Sequence, residues 1–215
     1  MPGSAPMPSA GSGAQGAHWD RVYATHPETA VSWYQPEPSR SLEMIAAAGV
    51  AVDDPIIDIG GGTSTLVDHL AAAGYRDLTV LDLSAEALAV SRKRLNETAF
   101  RIAWICADIT TWHPTRHYAV WHDRATFHFL TEAEDRRAYV ATLHAALRPA
   151  GTAVIATFAI DGPERCSGLP VRRYSPAALA GVLGDEFALV RTATEDHRTP
   201  AGQTQRFLYC RFRRI

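Results

Sequence analysis

Pro55-Ile56-Ile57-Asp58-Ile59-Gly60-Gly61-Gly62-Thr63-Ser64 is the stretch on which the fold turns. Its first half is short, apolar and β-branched, the pattern of a strand buried on both faces. Three glycines then stop the strand. They let the backbone take positive φ and let a ligand approach closely. Apolar residues at Leu66, Val67, Leu70 and Ala71 follow at helical spacing. A strand, a glycine loop and a helix in that order form one end of a βαβ unit. The unpaired N–H groups of the helix start face the loop.

The same alternation continues downstream. Leu78 to Leu83 reads as a second strand, and Ser84 caps a helix reaching about Asn96 with Arg92, Lys93 and Arg94 at its C-terminal end. Arg101 to Ala107 and Tyr118 to His122 read as the third and fourth strands. A helix carrying Tyr139, Val140, Leu143 and Leu147 comes next, then a fifth strand over Thr152 to Phe158. Ser175-Pro176 opens a further helix. Phe187 to Arg191 and Gln205 to Arg211 follow each other without a helix, so they are expected to pair antiparallel. Upstream, Ser41 to Gly49 reads as a helix capped by Ser41. The pattern predicts an α/β fold: a doubly wound, Rossmann-like three-layer sandwich with a mostly parallel seven-stranded sheet and an antiparallel final strand. Ligands of such sheets sit beyond the carboxyl ends of the strands, where the strand order reverses. Asp58, Asp82, Asp108 and Asp123 stand at or beside four of those ends.

Composition bounds the rest. With 215 residues there is room for one substantial core. Residues 1–16, built of Pro, Gly, Ser, Ala and a few others without charge, are expected to be a disordered tail, and 17–215 a single domain. A formal net charge of −2 lacks the basic footprint of a nucleic-acid binder or of a polybasic membrane binder. Cys106, Cys166 and Cys210 are odd in number and widely spaced, which points to a reducing cytoplasm rather than a disulfide framework. His113 and His117 flank a proline and do not share a helical face, so no metal site is expected. All but one of the 21 Lys and Arg residues are arginine, the exception being Lys93.

Asp58-Ile59-Gly60-Gly61-Gly62-Thr63 resembles motif I of the class I S-adenosylmethionine-dependent methyltransferases, in which an acid precedes a glycine loop. A dinucleotide-binding loop fits less well, because Thr65 stands where its third glycine belongs and Asp58 would repel a phosphate. The resemblance implies that Asp58 orients the amino group of the methionine moiety. It implies that Asp82, 22 residues after Gly60, accepts the ribose hydroxyls, with Leu83 beside it. It implies that Asp108 and Ile109 meet the adenine. Gly60, Gly61, Gly62 and Thr63 would cradle the cofactor.

Trp121-His122-Asp123-Arg124-Ala125 is similar to the W-D-R segment of thiopurine and related thiol S-methyltransferases, with His122 replacing the tryptophan. That likeness implies His122 and Arg124 as cofactor neighbours and a sulfur or other soft acceptor, with oxygen next. The Asn/Asp-Pro-Pro-aromatic motif of nucleic-acid amino-methyltransferases is absent here, which turns the expectation toward a small-molecule acceptor and away from nucleic acid and membranes. Asp123 and His128 are the candidate catalytic groups, since a hydroxyl or ammonium acceptor needs a base. Arg165 and Cys166, in a Gly/Pro-rich loop, are candidate substrate contacts. Trp19-Asp20-x-x-Tyr23 with Trp33-Tyr34 looks like the N-terminal segment of a subgroup that includes protein lysine methyltransferases. It implies Trp33 over the cofactor and Tyr34 at the substrate. The alternatives are therefore a protein lysine N-methyltransferase or a non-catalytic S-adenosylmethionine binder.

Overall fold

The computed structural model of the protein describes residues 10–215. Six helices accompany nine strands among them. The helices are α1 (Ala10–Thr25), α2 (Ser39–Ala46), α3 (Leu66–Ala72), α4 (Ala85–Leu95), α5 (Ala133–Ala146) and α6 (Pro176–Leu183). The first five strands are β1 (Ile56–Ile59), β2 (Leu78–Asp82), β3 (Ile102–Cys106), β4 (Tyr118–Arg124) and β5 (Leu147–Phe158). Two-residue strands β6 (Arg165–Cys166) and β7 (Leu169–Pro170) form a small hairpin, and β8 (Phe187–Arg198) and β9 (Thr204–Arg214) complete the chain.

Seven strands make one sheet in the order β3-β2-β1-β4-β5-β9-β8. Strands β1 to β5 pair parallel, and β9 runs antiparallel to both β5 and β8. The sheet is thus the mostly parallel seven-stranded one expected, with the final strand reversed. β8 and β9 are longer than their apolar runs suggest, because a hairpin ladder continues past the packed residues. The strand order reverses between β1 and β4, so the glycine loop after β1 opens at the switch point.

The period of two along each strand divides the core. Ile57, Ile59, Trp121 and Ile155 face α5 and α6, together with Tyr139, Leu143, Leu179 and Leu183. Ile56, Val80, Val120 and Val154 face α2, α3 and α4, together with Met44, Ile45, Leu66 and Leu88. Asp58 therefore lies on the α2 side. So does His122, its direct register partner on β4. Asp123 points to the α5 side.

Two expectations need correction. α1 already begins at Ala10, inside the stretch read as a tail; the rest of that stretch, residues 1–9, lies outside the described residues. The helix runs on into the Trp19–Tyr23 turn, which packs against α4 and the Trp33 and Phe129 rings. Ser41 is not a cap: α2 starts at Ser39 after Pro38, and Ser41 is buried within its first turn. Arg94 stands in the last turn of α4, as expected, and does more there. Its guanidinium ties Glu28 (2.5 Å), Asp68 (2.7 Å) and the carbonyls of Thr63 (3.1 Å) and Ser64 (2.8 Å) together.

Candidate active site

The glycine loop is held from outside and crowded from inside. Ser91 donates to the Gly62 carbonyl at 2.6 Å, beside the Arg94 contacts. Gly60 and Gly62 have φ of +65° and +36°, which only glycine adopts without strain. A Cβ on Gly60 would lie 1.8 Å from Thr126 Oγ1, and one on Gly61 would lie 2.6 Å from Asp58 Oδ2. The loop backbone thus runs directly against the side chains that build the site.

Two adjoining clefts open there. The larger, of about 770 Å³, is lined by Gly60, Asp82, Leu83, Asp108, Ile109, Ala125, Thr126 and Leu130, with Trp19, Tyr23, Trp33, Phe129, Arg124 and Cys166 around them. The smaller, of about 500 Å³, is lined by Tyr34, Gln35, Ser41, Asp58, Gly60, Gly61, Thr63, His122 and Arg124 among others. Trp33, Gly60 and Arg124 belong to both and form the partition.

An aromatic cluster borders the larger cleft. Trp19 meets Trp33 and Phe129 edge to face, with centroids 5.6 and 5.1 Å apart, and Tyr23 meets Trp33 at 6.0 Å. Such edge contacts add to the area that the rings bury. Asp20, next to Trp19 on the same helix, accepts from Ser84 at 2.6 Å and fixes α1 at the N-terminus of α4.

Asp82 ends β2 with Oδ1 accepting from the Ser84 amide at 2.8 Å. Burial raises its pKa to about 7; the Ser84 and Gly62 amides pull it down and the charges of Asp58 and Asp20 push it up. A buried carboxylate with this poise is an acceptor for a hydroxyl pair. Asp108 lines the same cleft and accepts from the Thr110 amide and hydroxyl at 2.8 and 2.7 Å.

In the smaller cleft the Nδ1–H of His122 donates to Asp58 Oδ1 at 2.7 Å. Its Nε2 hydrogen-bonds the Ser41 hydroxyl at 2.8 Å. All three side chains are buried. Asp58 Oδ2 has no partner and no solvent. A buried carboxylate oxygen left unpaired is costly unless a donor arrives, and a ligand ammonium has the charge to fit it. Ser41 was missed as a site residue because its reach to His122 crosses 81 positions of sequence.

The two catalytic candidates are corrected by geometry. Asp123 lines neither cleft. Its Oδ1 accepts from the Thr126 and Phe127 amides at 2.9 and 3.3 Å, and its Oδ2 from Tyr139 at 2.6 Å. Tyr139 in turn accepts from Trp121 at 2.8 Å. Burial raises Asp123 to about 6 against these donors. It holds the β4 turn, where Ala125 is forced to a φ of 70°. His128 also lines neither cleft and is fully buried against Phe158. Its Nδ1 accepts from the Phe158 amide at 3.3 Å, so the neutral ring carries its proton on Nε2. Burial, helped by the charge of Arg124, holds its pKa down to about 3. It is a hydrogen-bond acceptor in the core, its buried Nε2 meets no partner, and it does not serve as a base.

The substrate candidates divide. Tyr34 lines the smaller cleft and Cys166 the larger. Arg165 is exposed and bonds the Gly168 carbonyl of its own hairpin, away from both. Burial pushes the Cys166 thiol up to about 11, so it stays protonated. Thr63, Leu83, Asp108, Ile109, His122, Arg124 and Trp33 all line one cleft or the other. No group of three or more His, Cys, Asp or Glu able to hold a metal ion occurs among the described residues.

Residues 56–151 match the family model described as a methyltransferase domain. No curated protein matches the chain. Among solved structures, one described for the conversion of a disulfide bond into a thioacetal group during echinomycin biosynthesis superposes with a TM-score of 0.72 at 21% identity, covering 93% of this chain and 91% of the other. The 1,6-didemethyltoxoflavin-N1-methyltransferase of Burkholderia thailandensis, solved with 1,6-didemethyltoxoflavin and S-adenosylhomocysteine, gives 0.69 at 20%, covering 100% and 94%. A methyltransferase from Anabaena variabilis gives 0.74 at 14%, covering 100% and 99%. At these identities the likeness is one of fold.

Proposed function

We propose that the chain is a class I, S-adenosylmethionine-dependent methyltransferase that methylates a small-molecule acceptor, sulfur or another soft nucleophile first and oxygen next; the methyltransferase-domain model matched over residues 56–151 and the shared fold support the first part. The observation that carries this reading is the paired cleft. A carboxylate-lined compartment adjoins a second one across the Trp33–Arg124 partition, and aromatic rings border it. Such a chamber suits a small acceptor. The protein of the echinomycin disulfide-to-thioacetal conversion, similar over 93% of this chain, supports a sulfur acceptor.

The chain's own residues divide the work. Asp82 accepts the ribose hydroxyls, and Asp108 with Ile109 holds the adenine. Asp58, oriented by His122 and Ser41, takes the ammonium on Oδ2, the oxygen left unpaired. Gly60, Gly61 and Gly62 allow close approach because a side chain there would collide with the site. S-adenosylmethionine supplies an electrophilic methyl on a sulfonium. Thr126, Ala125 and Phe129 line the larger cleft and would help align acceptor and cofactor there, and alignment supplies much of the acceleration in such a displacement. Trp19 and Trp33 help exclude water. The three free cysteines suit a reducing compartment such as the cytoplasm.

Calorimetric titration with S-adenosylhomocysteine tests the cofactor, and mass spectrometry of a panel of aryl thiols, phenols and amines tests the acceptor. Binding without methylation of any panel member would favour a non-catalytic binder. Methyl transfer confined to proteins of a lysate would favour a lysine methyltransferase.

A further inference from the structure

Arg124 is the cation that the two clefts share. Its position is overdetermined. Nε donates to Tyr209 at 3.0 Å, Nη1 donates to the Trp33 carbonyl at 3.0 Å, and the guanidinium lies 4.3 Å over the Phe207 ring. Tyr209 is itself fixed by donating to Glu195 at 3.0 Å, which also accepts from Gln35 at 3.2 Å. None of these contacts brings a carboxylate onto Arg124. Its Nη2 has no hydrogen-bond partner and is shut off from solvent. A charged donor left buried and unpaired costs more than an ordinary hydrogen bond returns. A residue braced by three neighbours yet left with a free donor is built to meet a group delivered into the cleft.

The walls around it limit what that group can be. Beyond the adenosine carboxylates Asp82 and Asp108, the larger cleft carries no carboxylate and no imidazole. Cys166 stays a thiol, and His128 and Asp123 are bound into the core. The other titratable groups among the described residues lining the larger cleft, the Tyr23 hydroxyl and the Cys166 thiol, are held protonated by burial. The aromatic side chains of Trp19, Trp33 and Phe129 line the same cleft.

Resting on the methyltransferase reading above, we propose that the acceptor is a flat, aromatic anion, already ionised when it binds, and that Arg124 determines this specificity by holding its negative charge. The lone pair of the anionic atom forms the new bond to the methyl carbon. The methyl–sulfonium bond breaks with its electron pair remaining on the cofactor sulfur. The sulfonium and the anion both become neutral, and no proton is transferred. A cationic acceptor such as a lysine ammonium meets the wrong charge and finds no base. The same donor chemistry fits one other planar anion, the carboxylate of the cofactor itself, and the experiment separates the two.

Equilibrium binding of 2-naphthoate, 2-naphthylmethanol and 2-naphthylmethylamine to the protein saturated with S-adenosylhomocysteine is followed by calorimetry. The naphthoate is expected to bind at least tenfold more tightly than the alcohol, and the amine not at all. In Arg124→Gln the preference for the anion disappears while S-adenosylhomocysteine affinity moves less than threefold; Arg124→Lys, which keeps the charge, retains part of the preference. Equal or better binding of the alcohol or amine, no binding of the naphthoate, or a preference that survives Arg124→Gln overturns the proposal. A tenfold or greater loss of S-adenosylhomocysteine affinity in Arg124→Gln also overturns it, and gives Arg124 to the cofactor carboxylate. Should the glutamine variant not fold, the charge preference of the natural protein decides alone. Failure of S-adenosylhomocysteine to bind the natural protein would fall on the methyltransferase reading, and the naphthyl series is then measured on the free protein.

Discussion

His122 and Asp123 are neighbours on β4, both buried, each hydrogen-bonded to a hydroxyl, yet they serve different regions. His122 turns to the α2 side and orients Asp58 at the smaller cleft. Asp123 turns to the α5 side, binds Tyr139 and holds the strand's exit turn. One step along a strand reverses the face. Chemical type is therefore a poor guide to role here, and face is a good one. The acid holds the strand's exit turn, and the histidine lines the smaller cleft.

The contrast gives measurable differences. The largest concerns Asp123→Ala. It removes three hydrogen bonds and strands the Tyr139 hydroxyl, so thermal unfolding should show about 3 kcal/mol lost, with cofactor affinity kept in the folded fraction. Asp82→Ala should do the opposite, weakening S-adenosylhomocysteine on the order of 100-fold in calorimetry while folding is retained. Loss of affinity in the first variant without loss of stability would erase the distinction.

Acidity adds a second difference. Asp82 ionises at about 7, and hydroxyls of the cofactor require its carboxylate form. Affinity for S-adenosylhomocysteine should rise about tenfold from pH 6 to pH 8, and Asp82→Asn should flatten that dependence. Stability runs the other way. The unfolded chain releases the Asp82 proton near pH 4 and the folded chain near 7, so the raised pKa lowers stability as pH rises across that window. Asp123, raised to about 6, acts likewise between pH 4 and 6. His128, held at about 3, contributes stability above pH 6.5 that is lost as pH falls toward 3.

Smaller effects test the relay. Ser41→Ala and His122→Asn should each weaken cofactor binding about five- to tenfold, consistent with one hydrogen bond. Arg165→Ala, on the exposed hairpin, should change neither affinity nor stability beyond about 0.5 kcal/mol.

What local chemistry dictates was readable from the chain alone. The β-branched run Ile56–Ile59, the three glycines and the helical spacing after them define a strand, loop and helix because each depends on neighbours a few positions away. The alternation of such units implied the parallel sheet, and with it the acids at strand ends. The sequence was also sufficient to place Asp58 and Asp82 at the loop, since strand ends of one sheet share one rim.

Packing between distant segments settled the rest. Ser41 meets His122 across 81 positions and Arg124 meets Tyr209 across 85, and no periodicity encodes such a meeting. Whether His128 faces the cleft or the core is decided by β5, whose Phe158 amide claims its ring nitrogen. Local pattern determines which elements form, because hydrogen bonding and hydrophobic burial act along the chain at fixed periods. Tertiary structure alone decides which polar atoms are satisfied and which, like Asp58 Oδ2 and Arg124 Nη2, are left for a ligand.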